Sequence, residues 1–408
     1  MRIVLAPDSF KESMTAVEAA AAMSRGVRRV LPDATCVAVP MADGGEGTTE
    51  ALVAALGGRL VEVSTTDALG RPVRGRVGLA PGGVAVLEVA AAVGIGLVAP
   101  AERDVPAATS AGVADLVRAV LDAGARRLVV GLGGSATNDG GAGLLVGLGA
   151  RLLAADGTVV PPEPRALHRV ASVDLAGLDP RLAGVDVELA CDVTSPLLGP
   201  AGASAVFGPQ KGATPAQVAA LDAALAVFAD ALEAAAGRRV RDVPGAGAAG
   251  GLGAAFLALG ATRRSGVEVV VEATGLARHV AGADLVLTGE GGVDAQTLAG
   301  KTPAGVAAVA RAAGVPVIAF AGRVDGTADA LLDEGFAAVV PILHGPGSTA
   351  EALAAGAENL ERAVATALRL VRLGGGLGRA GRGPGERGPG ERGPGERGPA
   401  DHGGPAPV

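Results

Sequence analysis

Tryptophan and tyrosine are absent from this chain of 408 residues, and phenylalanine occurs six times. The net charge is −7, and because the stretch from Gly374 onward is nearly neutral, the acidity lies in the body of the chain. An acidic body without stacking aromatics excludes a nucleic-acid binder, which needs a basic face. Two cysteines, Cys36 and Cys191, are too few for a disulfide framework or a zinc cluster, and the four histidines have no ligand spacing. No apolar run reaches the roughly 18 residues of a membrane span, and the opening Met1–Pro7 stretch is too short for a signal peptide. A soluble cytoplasmic protein with no nucleic-acid or membrane partner is expected; oligomeric state is left open. Hydrophobic residues make up 49%, and at about 150 residues per domain the length suggests two or three domains.

Lysine is the other scarcity. Of 35 basic residues only Lys11, Lys211 and Lys301 are lysine. Lys301 directly precedes the helix signal Thr302-Pro303, Lys211 lies shortly before Thr214-Pro215, and Lys11 shortly before the capping box Thr15/Glu18. A lysine at a helix start opposes the macrodipole, whereas an anion bound there would reconcile the two.

Both ends of the chain alternate strand and helix. Strands are expected at Ile3–Ala6, Thr35–Val39, Leu285–Thr288, Pro316–Phe320 and Ala337–Ile342, with helices between them and a last helix over about Thr349–Leu373. The middle is of mixed character. The pattern predicts an α/β fold: a parallel-sheet domain built from both chain ends (1–66 and 275–373), an inserted mixed α/β domain (67–274), and a disordered Gly/Pro/Glu/Arg repeat tail (374–408).

Glycine and carboxylates gather after the outer strands, in Asp8-Ser9-Phe10-Lys11, Asp43-Gly44-Gly45-Glu46-Gly47 and Gly289-Glu290-Gly291-Gly292-Val293-Asp294. Ligands of an open parallel sheet bind at the C-terminal ends of its strands. Carboxylates and lysines together there point to a Mg²⁺-nucleotide site. Two look-alikes are weaker. Ala295–Thr302 resembles a P-loop with alanine for its first glycine, too far from the preceding strand. Gly131-Leu132-Gly133-Gly134-Ser135-Ala136 fits a loose dinucleotide fingerprint, but Asn138-Asp139-Gly140-Gly141 obstructs the helix that should follow. That loop could still cradle phosphate through its backbone amides.

Taken together, the motifs resemble the type 1 bacterial glycerate kinase family. The matching stretches are Ala6–Lys11, Met41–Thr48, Gly133–Gly141, Cys191–Leu197, Phe207–Gly212, Thr288–Gly291, and Asp294, Gln296, Thr297, Gly300 and Lys301. They occur in order from Met1 to about Leu373, and all three lysines fall within them. Glu12 stands where a small residue, often glycine, is usual; Ser195 and Gly292 also depart from the pattern, and the tail has no counterpart.

The resemblance implies a Rossmann-like domain carrying an inserted α/β domain, and ATP-dependent phosphorylation of D-glycerate with Mg²⁺, the 2-position favoured over the 3-position. Within these motifs the roles are read from the residues themselves: Asp192, after a strand and beside small polar residues, as general base; Asp8, Asp43 and Glu290 toward Mg²⁺ or its waters; Lys211 and Lys301 toward phosphates; and Lys11 toward phosphate or the glycerate carboxylate. Ser9, Gly44, Gly45, Gly133, Gly134, Ser135 and Asn138 would line the binding loops, with Asp294 and Gln296 orienting substrate. The rival readings are an NAD-dependent hydroxy-acid dehydrogenase, resting on the Gly131 loop, and a non-enzymatic small-acid sensor.

Overall fold

The computed structural model describes residues 1–293, 301–326, 330–345 and 347–380, with side chains as far as Leu373. Its strands are β1 (Arg2–Leu5), β2 (Thr35–Ala38), β3 (Arg59–Thr66), β4 (Pro72–Ala80), β5 (Val84–Glu88), β6 (Arg127–Gly131), β7 (Arg151–Leu153), β8 (Ser172–Asp174), β9 (Asp186–Ala190), β10 (Thr262–Arg264), β11 (Leu285–Val293), β12 (Val317–Val324) and β13 (Phe336–Pro341).

The two chain ends build one parallel sheet in the order β13-β12-β11-β1-β2. Alternate residues of β1 explain why both faces are covered. Ile3 and Leu5 pack with Leu287 and Phe320 beneath the helices Ala16–Arg28 and Gly356–Ala380, whereas Val4 turns to the opposite cluster with Val286, Ala319 and Val306. The Thr15/Glu18 capping box starts the first helix as expected.

The middle of the chain builds a second sheet, β10-β9-β6-β5-β4-β3, in which β10, β9, β6 and β5 are parallel and β4 and β3 complete an antiparallel edge. Its first strand begins at Arg59, inside the stretch assigned from sequence to the other domain. The helix Thr48–Leu56 ends at Gly57 in the left-handed conformation, and β3 then pairs along its whole length with β4, from Arg59 opposite Leu79 to Thr66 opposite Pro72. The two sheets share an apolar cluster in which Met41 and Ala42 meet Val86, Val129 and Ala190.

Three expected boundaries shift, the simplest being that β12 runs on past Phe320 to Val324. Instead of ending at Thr288, β11 continues to Val293, because its glycines let it lie against β12: a Cβ at Gly289 would sit 2.2 Å from the Phe320 carbonyl oxygen. The last helix is two, Thr349–Ala354 and Gly356–Ala380. Gly356 lies where a Cβ would come within 2.0 Å of Ser13 Oγ, which itself donates to the Leu353 carbonyl at 2.7 Å. That helix reaches Ala380, into the stretch expected to be disordered; the rest of the repeat segment lies outside the described residues. Among the described residues no helix is long and apolar enough to cross a membrane.

Candidate active site

The loop after β2 of the first sheet meets the ends of β6 and β9 of the second, and glycines make the approach possible. Gly44, with φ +89°, sits where a Cβ would lie 2.5 Å from the Ala190 carbonyl at the end of β9. A Cβ on Gly266 would lie 2.0 Å from the Asp43 carbonyl, one on Gly131 2.8 Å from the Gly44 carbonyl, and one on Gly133 2.7 Å from Gly45 Cα. The 43–47 loop of the first sheet is thus wedged against the ends of β6 and β9 and the start of the helix Gly266–Thr274.

Carboxylates line both sides. Asp8 follows β1, is buried, and accepts from Ser9 N at 2.6 Å and from Thr302 Oγ1 at 2.5 Å. Burial, reinforced by the charges of Asp43 and Glu290, pushes its carboxyl up to about 7. Asp43 Oδ1 accepts from Gly45 N at 3.0 Å. Across the cleft, Asp192 Oδ1 accepts from Gly266 N at 3.1 Å, while its Oδ2 is buried without a hydrogen-bond partner. Burial first and the nearby Asp43 second raise the Asp192 carboxyl above the ordinary range.

Two lysines start beside the same corner. Lys301 is the N-cap of the helix Thr302–Ala312, and its ammonium lies 3.7 Å from Glu290 Oε2. Glu290 is therefore presented by a strand rather than a loop. Lys11 is exposed, and its backbone nitrogen lies 3.2 Å from where a Cβ on Gly291 would be. Ser9 stands half-buried between Asp8 and Lys11.

The third lysine is placed otherwise. Lys211 closes the short turn Pro209–Lys211, ahead of Gly212 with φ +101°, and its side chain points inward and is only 3% exposed. Its Nζ donates to the Thr137 carbonyl at 2.6 Å and to Ser135 Oγ at 3.2 Å, and burial pushes it down to about 7. The ammonium is thus spent on the underside of the glycine-rich loop after β6, whereas a phosphate contact was expected. Ser135 and Asn138 are also buried, Asn138 Nδ2 donating to Ser204 Oγ at 2.9 Å, so their side chains brace the loop. Gly133 and Gly134 remain at its turn, Gly134 with φ +70°.

No helix follows this loop until Ala142, which removes the dinucleotide fingerprint. Asp139 occupies the intervening space, fully buried, and accepts from Ser110 N and Oγ at 2.7 Å and from Gly141 N and Gly143 N at 3.0 Å. Asp294 and Gln296 lie outside the described residues.

Sequence reading missed Glu88, the last residue of β5. Its carboxylate crosses between the sheets and accepts from Thr49 N at 2.6 Å and Gly47 N at 3.3 Å. It caps the helix Thr48–Leu56, whose own N-cap, Gly47, has no side chain to do so. The one signal in the sequence was that uncapped helix start.

Among the described residues no group of three or more His, Cys, Asp or Glu side chains is arranged around a metal position. Mg²⁺ typically takes one or two carboxylates and fills its octahedron with water and substrate phosphate, so Asp8 and Asp43, close enough to feel each other's charge, with Glu290 nearby, fit such an ion.

Comparison with known proteins gives one answer. The model of the glycerate kinase family matches residues 3–372. A glycerate kinase from Bacillus subtilis strain 168 is 47% identical over 91% of this chain and 99% of its own length. A glycerate 2-kinase from Escherichia coli K12 is 45% identical over 89% of this chain and 96% of its own. A crystal structure from Salmonella typhimurium LT2 described as a glycerate kinase 2 superposes with a TM-score of 0.81 at 45% identity, covering 92% of this chain and all of that one.

Proposed function

The chain belongs to the glycerate kinase family, and we propose that it phosphorylates the 2-hydroxyl of D-glycerate in the cleft between its two sheets. It is an enzyme, a glycerate kinase, moving the γ-phosphoryl group of ATP to a hydroxyl of glycerate. Neither the dehydrogenase nor the sensor reading finds support in these relatives.

The observation that carries the cleft assignment is the meeting of the 43–47 loop with the ends of β6 and β9, which brings carboxylates of both sheets within electrostatic reach. Phosphoryl transfer asks for positioning, charge neutralisation and a proton acceptor more than for covalent chemistry. Asp192 suits the acceptor role: it stands at the end of β9 with one oxygen unpartnered, and its raised pKa strengthens it as a base. As the substrate hydroxyl attacks the γ-phosphorus, its proton passes to Asp192 and ADP leaves with the bridging oxygen. Lys301 and Lys11 would meet the charge on the phosphates from the β11 side, and the backbone amides of the Leu132–Ser135 turn, braced from below by Lys211, would meet it from the other. Asp8 and Asp43, with Glu290, would hold Mg²⁺, which supplies charge neutralisation to the ATP phosphates when bound. In this reading the inserted unit spans 67–274 plus strand β3, and the flanking stretches form the other.

The test is a coupled assay. With MgATP and D-glycerate, product that enolase alone converts is 2-phosphoglycerate. ADP release whose product enolase does not convert would overturn the 2-position; glycerate-independent ADP release would overturn the kinase reading.

A further inference from the structure

Strand β10 is three residues long and carries two arginines, which its pleat sends to opposite faces. Arg264 is neutralised, 2.7 Å from Glu272 and 3.8 Å from Glu188. Arg263 has no carboxylate within ion-pairing distance among the described residues. Arg127, Arg151, Arg181 and Arg241 of the same unit are each paired, whereas Arg103 is half-buried like Arg263 and bonds only to carbonyls.

The surroundings of Arg263 are nonetheless built. Its chain runs over Gly245, which has φ +91° and where a Cβ would come within 2.6 Å of Arg263 Cδ, so the glycine opens the channel the side chain occupies. At the end of that channel Nη1 donates to the Cys191 carbonyl at 2.8 Å. A guanidinium offers five N–H donors in a planar fork, and this is the one hydrogen bond the Arg263 side chain makes among the described residues. The group is half-buried, at the C-terminal edge of the second sheet, on the residue preceding Asp192. The Cys191 thiol feels Arg263, Asp192 and Asp43 together, which places all three charges in one corner.

A half-buried arginine with no carboxylate at ion-pairing distance, held by one carbonyl contact beside the proposed base, has N–H donors left for a planar anion. We infer that Arg263 binds the carboxylate of the hydroxy-acid substrate and makes the enzyme select an acid over its uncharged counterparts. The inference rests on the cleft being the glycerate site. It supplies a cation that the three lysines do not: Lys211 is committed beneath a loop, and Lys11 and Lys301 stand on the β11 side.

Direct binding to the full-length protein tests it independently of turnover. Calorimetric titration with D-glycerate and with D-glyceramide compares wild type with Arg263→Gln, which keeps an N–H for the Cys191 carbonyl, and with Arg263→Lys, melting curves confirming that each variant is folded. Glycerate affinity is expected to fall at least ~tenfold in Arg263→Gln and less in Arg263→Lys, with glyceramide affinity unchanged. Equal losses for acid and amide, or an unchanged affinity for glycerate, overturn the assignment. A wild type that binds glycerate through Arg263 but does not phosphorylate it overturns the reaction reading and leaves the carboxylate site standing.

Discussion

Lys211 and Thr137 are joined by a 2.6 Å hydrogen bond from the lysine ammonium to the threonine carbonyl, made in a pocket that excludes solvent. The bond fixes the glycine-rich loop from beneath. Lys211→Met keeps the bulk of the side chain but leaves the Thr137 carbonyl and the Ser135 hydroxyl unsatisfied. It is expected to cost about 1–3 kcal/mol of stability and to lower kcat at least ~tenfold through loss of loop geometry. Lys211→Arg fails as well, because a larger planar group does not fit. Denaturant titration and initial rates check both; a fully active, equally stable Lys211→Met variant would contradict the bracing role.

The same burial has a pH signature. The folded-state value of about 7 lies below the ~10.4 of lysine in an unfolded chain. Between these values the folded chain binds fewer protons than the unfolded one, so this group makes stability rise with pH across that window and contributes no slope below it. The stability of wild type relative to Lys211→Met should therefore grow from pH 7 to pH 9.5. A gap that is flat or shrinks over that range argues for an exposed ammonium.

Asp192→Asn removes the proposed proton acceptor while keeping the shape of the side chain. A loss of ~100-fold or more in kcat with little change in KM for ATP is the expected result. A KM effect alone would reassign Asp192 to binding.

Glu88→Ala should uncap the helix Thr48–Leu56 across the inter-sheet contact, costing about 1–2 kcal/mol. Because that helix follows the Asp43 loop, kcat should fall by about tenfold as well. Glu88→Gln, which retains one acceptor, should lie between. Thermal melts and steady-state rates are measured together, and unchanged activity would separate the cap from the site.

Glu12 has φ +63°, a left-handed conformation that costs a residue with a Cβ about 1 kcal/mol. The family resemblance implies a small residue there, often glycine, and the left-handed dihedral is a physical reason for one. Glu12→Gly should raise the denaturation midpoint modestly and leave kcat unchanged.

Much of this arrangement was legible in the sequence because it is written locally. The capping boxes at Thr15/Glu18 and Thr214/Gln217, the alternating ends and the glycine-carboxylate motifs each need only a few neighbouring residues. What escaped depends on partners far along the chain. Glu290 read as a loop residue because glycines around it mimic a turn, whereas β12 makes them a strand. Glu88 and Arg263 carry no local signal at all; each acquires its meaning from a glycine in another segment, Gly47 or Gly245. Lys211 lay in the right motif, but only packing reveals which way it points.

The position of β1 in the first sheet has a cost during synthesis. It lies between β2 and β11, and the Thr288 hydroxyl bonds the Ala6 carbonyl across 282 residues of chain. At the ~5–20 residues per second of translation, β1 waits roughly a quarter of a minute to a minute for its second neighbour to be made. Throughout that interval the nascent chain carries one bare parallel edge beside a growing insert. Glu290 and Lys301 of the proposed site are made only after about 70% of the chain, so the first sheet and that site cannot close before then.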